Sequence, residues 1–151
     1  MLSKVVCKFH SYRMISPIMR RMISDRNKEI LSTTYYLDMP KFTSIFRECD
    51  NNDKVIFLDV REGDSSTITQ LPDSNGKTSL KKVSIPFYDL MEYELEPIEE
   101  FRDTHTILCY SRAGNYAQKA SKYLQSYGYT ARTVDVNVKD FVEDFVRDIY
   151  Y

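Results

Sequence analysis

The sequence predicts an α/β domain, a parallel sheet flanked by helices, and three observations carry the prediction. "KVIFLDV" (Lys54–Val60) and "HTILCY" (His105–Tyr110) are short, continuous apolar runs of the kind a strand buried on both faces requires. Helix-like and strand-like stretches alternate along the chain, which is the pattern of a parallel sheet. "NYAQKASKYLQSYG" (Asn115–Gly128) sets Ala117, Ala120, Leu124 and Tyr127 on one helical face and ends at a glycine stop.

In chain order, "YYLD" gives a short strand. Asp38 then caps a helix that carries Phe42, Ile45 and Phe46. "NND" breaks the chain before the Lys54–Val60 strand. Residues 63–82 are polar, with "PDSNGKTS" at their centre, and read as a loop. "KVSIPF" is a short strand or extended entry, and "YDLMEYELEPIEEF" is acidic and helical in pieces. After the His105–Tyr110 strand and the Asn115–Gly128 helix, "TARTVDV" is a last strand. Asn137 then caps a final helix whose face is Phe141, Val142, Phe145, Val146 and Ile149.

A length of 151 residues suits one domain with a real core. The net charge of −1 hides an uneven distribution. The first 24 residues carry Lys4, Lys8, Arg13, Arg20 and Arg21 and no acid, whereas the rest holds 16 basic and 22 acidic side chains. The body is therefore mildly acidic, so no nucleic-acid partner is expected. Cys7, Cys49 and Cys109 are scattered and odd in number, which fits a reducing compartment. His10 and His105 are far apart and form no metal-ligand pattern, so no metal and no cofactor are expected.

The N-terminus reads as a separate basic arm, residues 1–33, ahead of a domain at 34–151. Leu2, Val5, Val6 and Phe9 recur at helical spacing, with Lys4 and Lys8 off that stripe. An amphipathic, acid-poor segment of this kind is the pattern of a mitochondrial transit peptide. The second reading is an arm that lies on a partner or a lipid surface, in a mitochondrial or a cytoplasmic protein.

Two motifs about 45 residues apart, "VIFLDVRE" and "ILCYSRAGNYAQKASKYLQSYGY", resemble those of the rhodanese-like (sulfurtransferase) family. That family has a strand ending in Asp-Val-Arg, here Asp59-Val60-Arg61. Later it has a strand, a loop of the form C-x-x-G-x-R-S, and an Ala-rich helix ending in Leu-x-x-x-Gly. Gly114 matches the loop glycine, Ala120 the helix alanine, and Leu124 with Gly128 the helix end. The resemblance covers about residues 35 to 149 and implies a rhodanese-like fold. Its site motifs depart from the family. Ser111 stands at the catalytic cysteine's position, and Tyr116 and Ala117 replace the usual Arg and Ser. Val136-Asn137 replaces a Gly-Gly, and "VSIPF" lacks the family's His-Ile-Pro-Gly-Ala segment.

In the family the loop amides and the helix N-terminus activate a thiolate that carries a persulfide sulfur. A serine hydroxyl cannot do so, and it is not an anion at neutral pH without a base. Cys109 lies two residues upstream inside an apolar strand, where a thiol behaves as a small hydrophobe. The departures from the family's site motifs imply a pseudoenzyme, and with the transit-like first segment the chain reads as a non-catalytic structural or accessory subunit of a larger, mitochondrial assembly such as a respiratory-chain or ribosomal complex. Its partners would be other protein subunits, with a membrane surface as a further contact for the arm. Two other readings stand beside this one. One is a divergent thiosulfate or persulfide sulfurtransferase that uses Cys109. The other is a small-anion-binding module whose loop, Ser111, Arg112, Ala113, Gly114 and Asn115, still offers its amides, with Asp59 and Arg61 as scaffold.

Overall fold

The structure is a computed structural model, and it describes residues 16–50, 53–62, 69–112 and 114–150. Its elements are α1 (Pro17–Thr33), β1 (Tyr36–Leu37), α2 (Met39–Glu48), β2 (Val55–Asp59), β3 (Lys82–Ser84), α3 (Phe87–Met91), α4 (Glu96–Glu99), β4 (Thr106–Tyr110), α5 (Asn115–Ser126), β5 (Thr130–Val134) and α6 (Val138–Tyr150). The five strands form one sheet in the order β1-β5-β4-β2-β3, and every pair is parallel. The α/β class read from the two apolar runs is what the chain adopts. All five residues of β2 are buried, as are four of the five in β4. A strand with helices on both sides has no polar face to show.

The sheet divides the core in two. On one side Phe42, Phe46, Phe57, Phe141 and Phe145 form an edge-to-face and stacked cluster, with centroids 4.8 to 6.2 Å apart, beneath α2 and α6. On the other side α5 lays Ala117, Ala120 and Leu124 over Ile56, Leu58, Ile107 and Cys109. Small residues on α5 bring its backbone close to β4. The caps read from the sequence are present. Asp38 Oδ1 accepts the Lys41 N–H at 3.1 Å, and Asn137 Oδ1 accepts the Asp140 N–H at 3.2 Å.

Two details of the sequence reading change. Residues 17–33, assigned to the arm, form a helix whose C-terminal half joins the domain. Asn27 and Leu31 are buried, Asn27 exchanges hydrogen bonds with Ser44, and the Arg132 guanidinium donates to the Leu31 carbonyl at 2.7 Å. Burying a leucine is worth roughly 1.5–3 kcal/mol, enough to fix the last turns of α1 to α2. The first turns remain outside, with Ile18, Met19 and Met22 more than half exposed. The stripe Leu2, Val5, Val6 and Phe9 lies outside the described residues. The second change is on α5, where Tyr127 sits at the C-cap and is 37% exposed. Ser121 takes the buried place, donating to the Ala117 carbonyl at 2.8 Å and accepting from Thr133 Oγ1 at 3.0 Å. A polar residue escapes an apolar-periodicity count even when its hydroxyl is fully bonded.

Candidate functional site

The C-terminal ends of parallel strands are where open α/β sheets build their sites. Here β2 ends at Asp59 beside the end of β4 at Tyr110, and the two residues are register partners. The Asp59-Val60-Arg61 corner is closed on itself. Arg61 donates from Nε to Asp59 Oδ1 at 2.9 Å and from Nη2 to Oδ2 at 2.8 Å, a two-point clasp. Its backbone N–H also donates to Asp59 Oδ1, and Nη1 reaches the Thr69 carbonyl at 2.7 Å. The guanidinium lies 5.7 Å from the centre of the Tyr110 ring. Both side chains are buried, so the clasp ties β2 to the following loop and to β4. The Asp59 carboxylate, as an acceptor, holds the guanidinium firmly charged against the opposing effect of burial.

One strand away, β4 runs into the loop that carries Ser111. The turn needs Gly114, whose φ is +89° and which caps α5 without a side-chain hydrogen bond. A Cβ there would lie 2.9 Å from Asp135 Oδ1, so a side chain would be strained by the backbone and would also push the exposed Asp135 carboxylate aside. Ser111 is buried, and its Oγ accepts the Gly114 N–H at 3.1 Å and the Ala117 N–H at 3.2 Å. The inward-facing amides at the start of α5 are therefore directed at the residue's own hydroxyl. The two N–H groups would stabilise negative charge at position 111. Among the described residues, no carboxylate or imidazole hydrogen-bonds to Ser111 to take its proton. His105 precedes β4, at the opposite end of the sheet from the loop.

The remaining candidates separate. Arg112 and Asn115 are exposed, and Ala113 lies outside the described residues. Cys109 is fully buried under α5, and burial pushes its thiol up to about 12. At neutral pH it is a protonated core residue. Among the described residues no three His, Cys, Asp or Glu side chains group as metal ligands, and no helix is long and apolar enough to cross a membrane.

Groups on neighbouring elements frame the start of α5, and one of them, Asp135, lies outside both motifs. Asp135, just after β5, is exposed and sits beside Gly114. Glu62 Oε1 accepts the Tyr88 N–H at 2.6 Å, and the Tyr116 phenol is raised chiefly by its hydrogen bond with Tyr88, with the Glu62 charge adding to it. Tyr116 itself stacks on Phe87, with centroids 4.4 Å apart and planes at 5°. Next to the loop, the first turn of α5 thus carries an aromatic stack, with Asp135 beside Gly114. Asp135 was open to prediction, since it closes the strand next to β4 on the functional end of the sheet.

Comparison with known proteins agrees with this geometry at the level of fold. No family model matches the sequence, and no curated protein sequence matches it. Solved structures do. A crystal structure of a rhodanese-like domain protein from Staphylococcus aureus matches with a TM-score of 0.54 at 15% identity, over 72% of this chain and 91% of that one. An uncharacterized protein from Saccharomyces cerevisiae gives 0.54 at 19%, over 74% and 93%. A solution structure from Helicobacter pylori gives 0.51 at 26%, over 74% and 84%. The chain has a rhodanese-like α/β fold, a five-stranded parallel sheet flanked by helices.

Proposed function

We propose that this chain is a rhodanese-fold module without sulfur-transfer chemistry, and that it serves as a structural or accessory subunit of a larger, mitochondrial assembly. The observation that carries the reading is the state of position 111. The loop amides that would activate a thiolate are directed at a serine hydroxyl, while the nearby thiol, Cys109, is sealed in the core. A persulfide bond needs sulfur at the nucleophile, and an unassisted hydroxyl is a poor nucleophile at neutral pH. The carboxylates Glu62 and Asp135 beside the loop also argue against a small-anion module. The mitochondrial assignment rests on the basic, acid-free first 24 residues.

The test uses a tagged full-length chain in cells of a mitochondrial organism. Fractionation and sizing of the gently solubilised organelle should recover it in a complex much heavier than 17.8 kDa. A chain that stays in the cytosol, or that elutes alone, would count against the proposal. Giving residues 25–151 an unrelated transit peptide separates address from attachment. Import without assembly would make the arm a docking element, and normal assembly would place the contact on the acidic body.

A further inference from the structure

The flank between α3 and α5 carries an unusual amount of exposed aromatic surface. Tyr116, Tyr123 and Tyr127 are spaced seven and four residues apart, so they form one stripe along α5. Tyr88 and Tyr93 meet that stripe from the other side. Tyr88 approaches the Tyr116 ring at 6.2 Å, and Tyr93 packs on Tyr123 at 5.9 Å and Tyr127 at 5.1 Å, its hydroxyl bonded to that of Tyr127. Yet Tyr88 is 60% and Tyr93 64% exposed. Tyr93 follows the C-cap of α3 with a φ of +67°, the left-handed ending of that helix, in which its N–H and that of Glu94 bond to the Leu90 and Asp89 carbonyls.

Below Tyr93 lies an open groove of about 490 Å³. Ile85, Pro86, Pro97 and the Tyr93 ring give it an apolar lining, and Asp89, Glu94 and Glu96 supply carboxylates. Among the described residues none of these three acids is in an ion pair. Residues 87–100 hold six acids and no base. Apolar and aromatic walls beside uncompensated negative charge select a cation with a flat, weakly hydrated face, which is the guanidinium of arginine.

We infer that this groove and its tyrosine stripe are the docking site for a basic, arginine-bearing segment of a partner protein. The inference rests on the accessory-subunit reading and gives that subunit its contact surface. Arginine side chains enter between Tyr93 and the carboxylates, while the segment's apolar groups lie on Pro86 and Pro97. Tyrosine and arginine are both enriched at the hot spots of protein interfaces.

The first experiment follows the backbone amides of the isotope-labelled full-length chain by NMR during titration with a nona-arginine peptide at physiological salt. Saturable shifts should centre on Tyr88, Tyr93, Glu94 and Tyr127, and nona-lysine should bind several-fold more weakly. Tyr93→Gly fits the left-handed backbone, so it should fold normally yet lose tenfold or more in affinity; Glu94→Gln with Glu96→Gln should do the same. Shifts scattered over all the acids, indifference to these substitutions, or equal binding of nona-lysine would overturn the inference. The second experiment compares wild type and Tyr93→Gly/Glu94→Gln/Glu96→Gln in the cellular complex. Loss of the variant from the complex supports the site. A variant that assembles like wild type sinks this inference and leaves the accessory-subunit reading standing. A wild-type chain that runs alone sinks that reading and takes the inference with it.

Discussion

The ends of β2 and β4 lie side by side and are built on opposite principles. At β2, a carboxylate and a guanidinium close a buried network in which each partner satisfies the other. At β4, the backbone makes the tight glycine turn of an active loop, and a serine hydroxyl sits at its centre. The first corner holds strands and loops together whatever chemistry follows. The second keeps its shape with a residue that changes the chemistry.

The largest effect should come from breaking the corner at β2. Arg61→Ala leaves the Asp59 carboxylate buried and unpaired, which should cost about 3–5 kcal/mol. Urea denaturation measures it, and a loss under about 1 kcal/mol would mean that the clasp does not hold the sheet. At β4 the sharper probe is Cys109. A thiol held at about 12 and covered by α5 should alkylate at least about a hundredfold more slowly in the native protein than in urea at pH 8. Peptide mass mapping separates it from Cys7 and Cys49. Fast native labelling would turn Cys109 from core residue into nucleophile.

Much of this contrast was legible in the sequence. The apolar runs of β2 and β4 announced buried parallel strands, and Asp59, Arg61, Gly114 and Gly128 stood at the spacing of the rhodanese-like pattern. What the sequence hid were contacts across the fold. Asp135 and Gly114 are 21 residues apart yet touch, because β5 is the neighbour of β4. Tyr116 reads as a lost arginine until Phe87 is seen stacked on it. The inner half of α1 escaped because it is held by Asn27, Leu31 and a bond from Arg132, a short patch rather than a long apolar stripe.

Two smaller effects sharpen the account of the loop. Ser111→Ala strips two amides of their acceptor and should cost about 1–3 kcal/mol, seen as a lower unfolding midpoint. No loss would mean that the hydroxyl does not organise the turn. Gly114→Ala forces a Cβ into a left-handed backbone and onto Asp135, for about 1–2 kcal/mol or somewhat more. Adding Asp135→Ala should recover part of that loss. A double variant no better than the single one would show that the backbone alone sets the requirement.

A thiosulfate:cyanide assay tests the proposal that this rhodanese-like fold works without sulfur transfer. It would be run on wild type, Ser111→Ala, Ser111→Cys and Cys109→Ser, each first shown to be folded. Wild type, Ser111→Ala and Cys109→Ser should show no turnover above buffer. Ser111→Cys should show at most a weak rate, because Tyr116, Glu62 and Asp135 still surround the loop. A wild-type rate abolished by Cys109→Ser and untouched by Ser111→Ala would contradict the proposal.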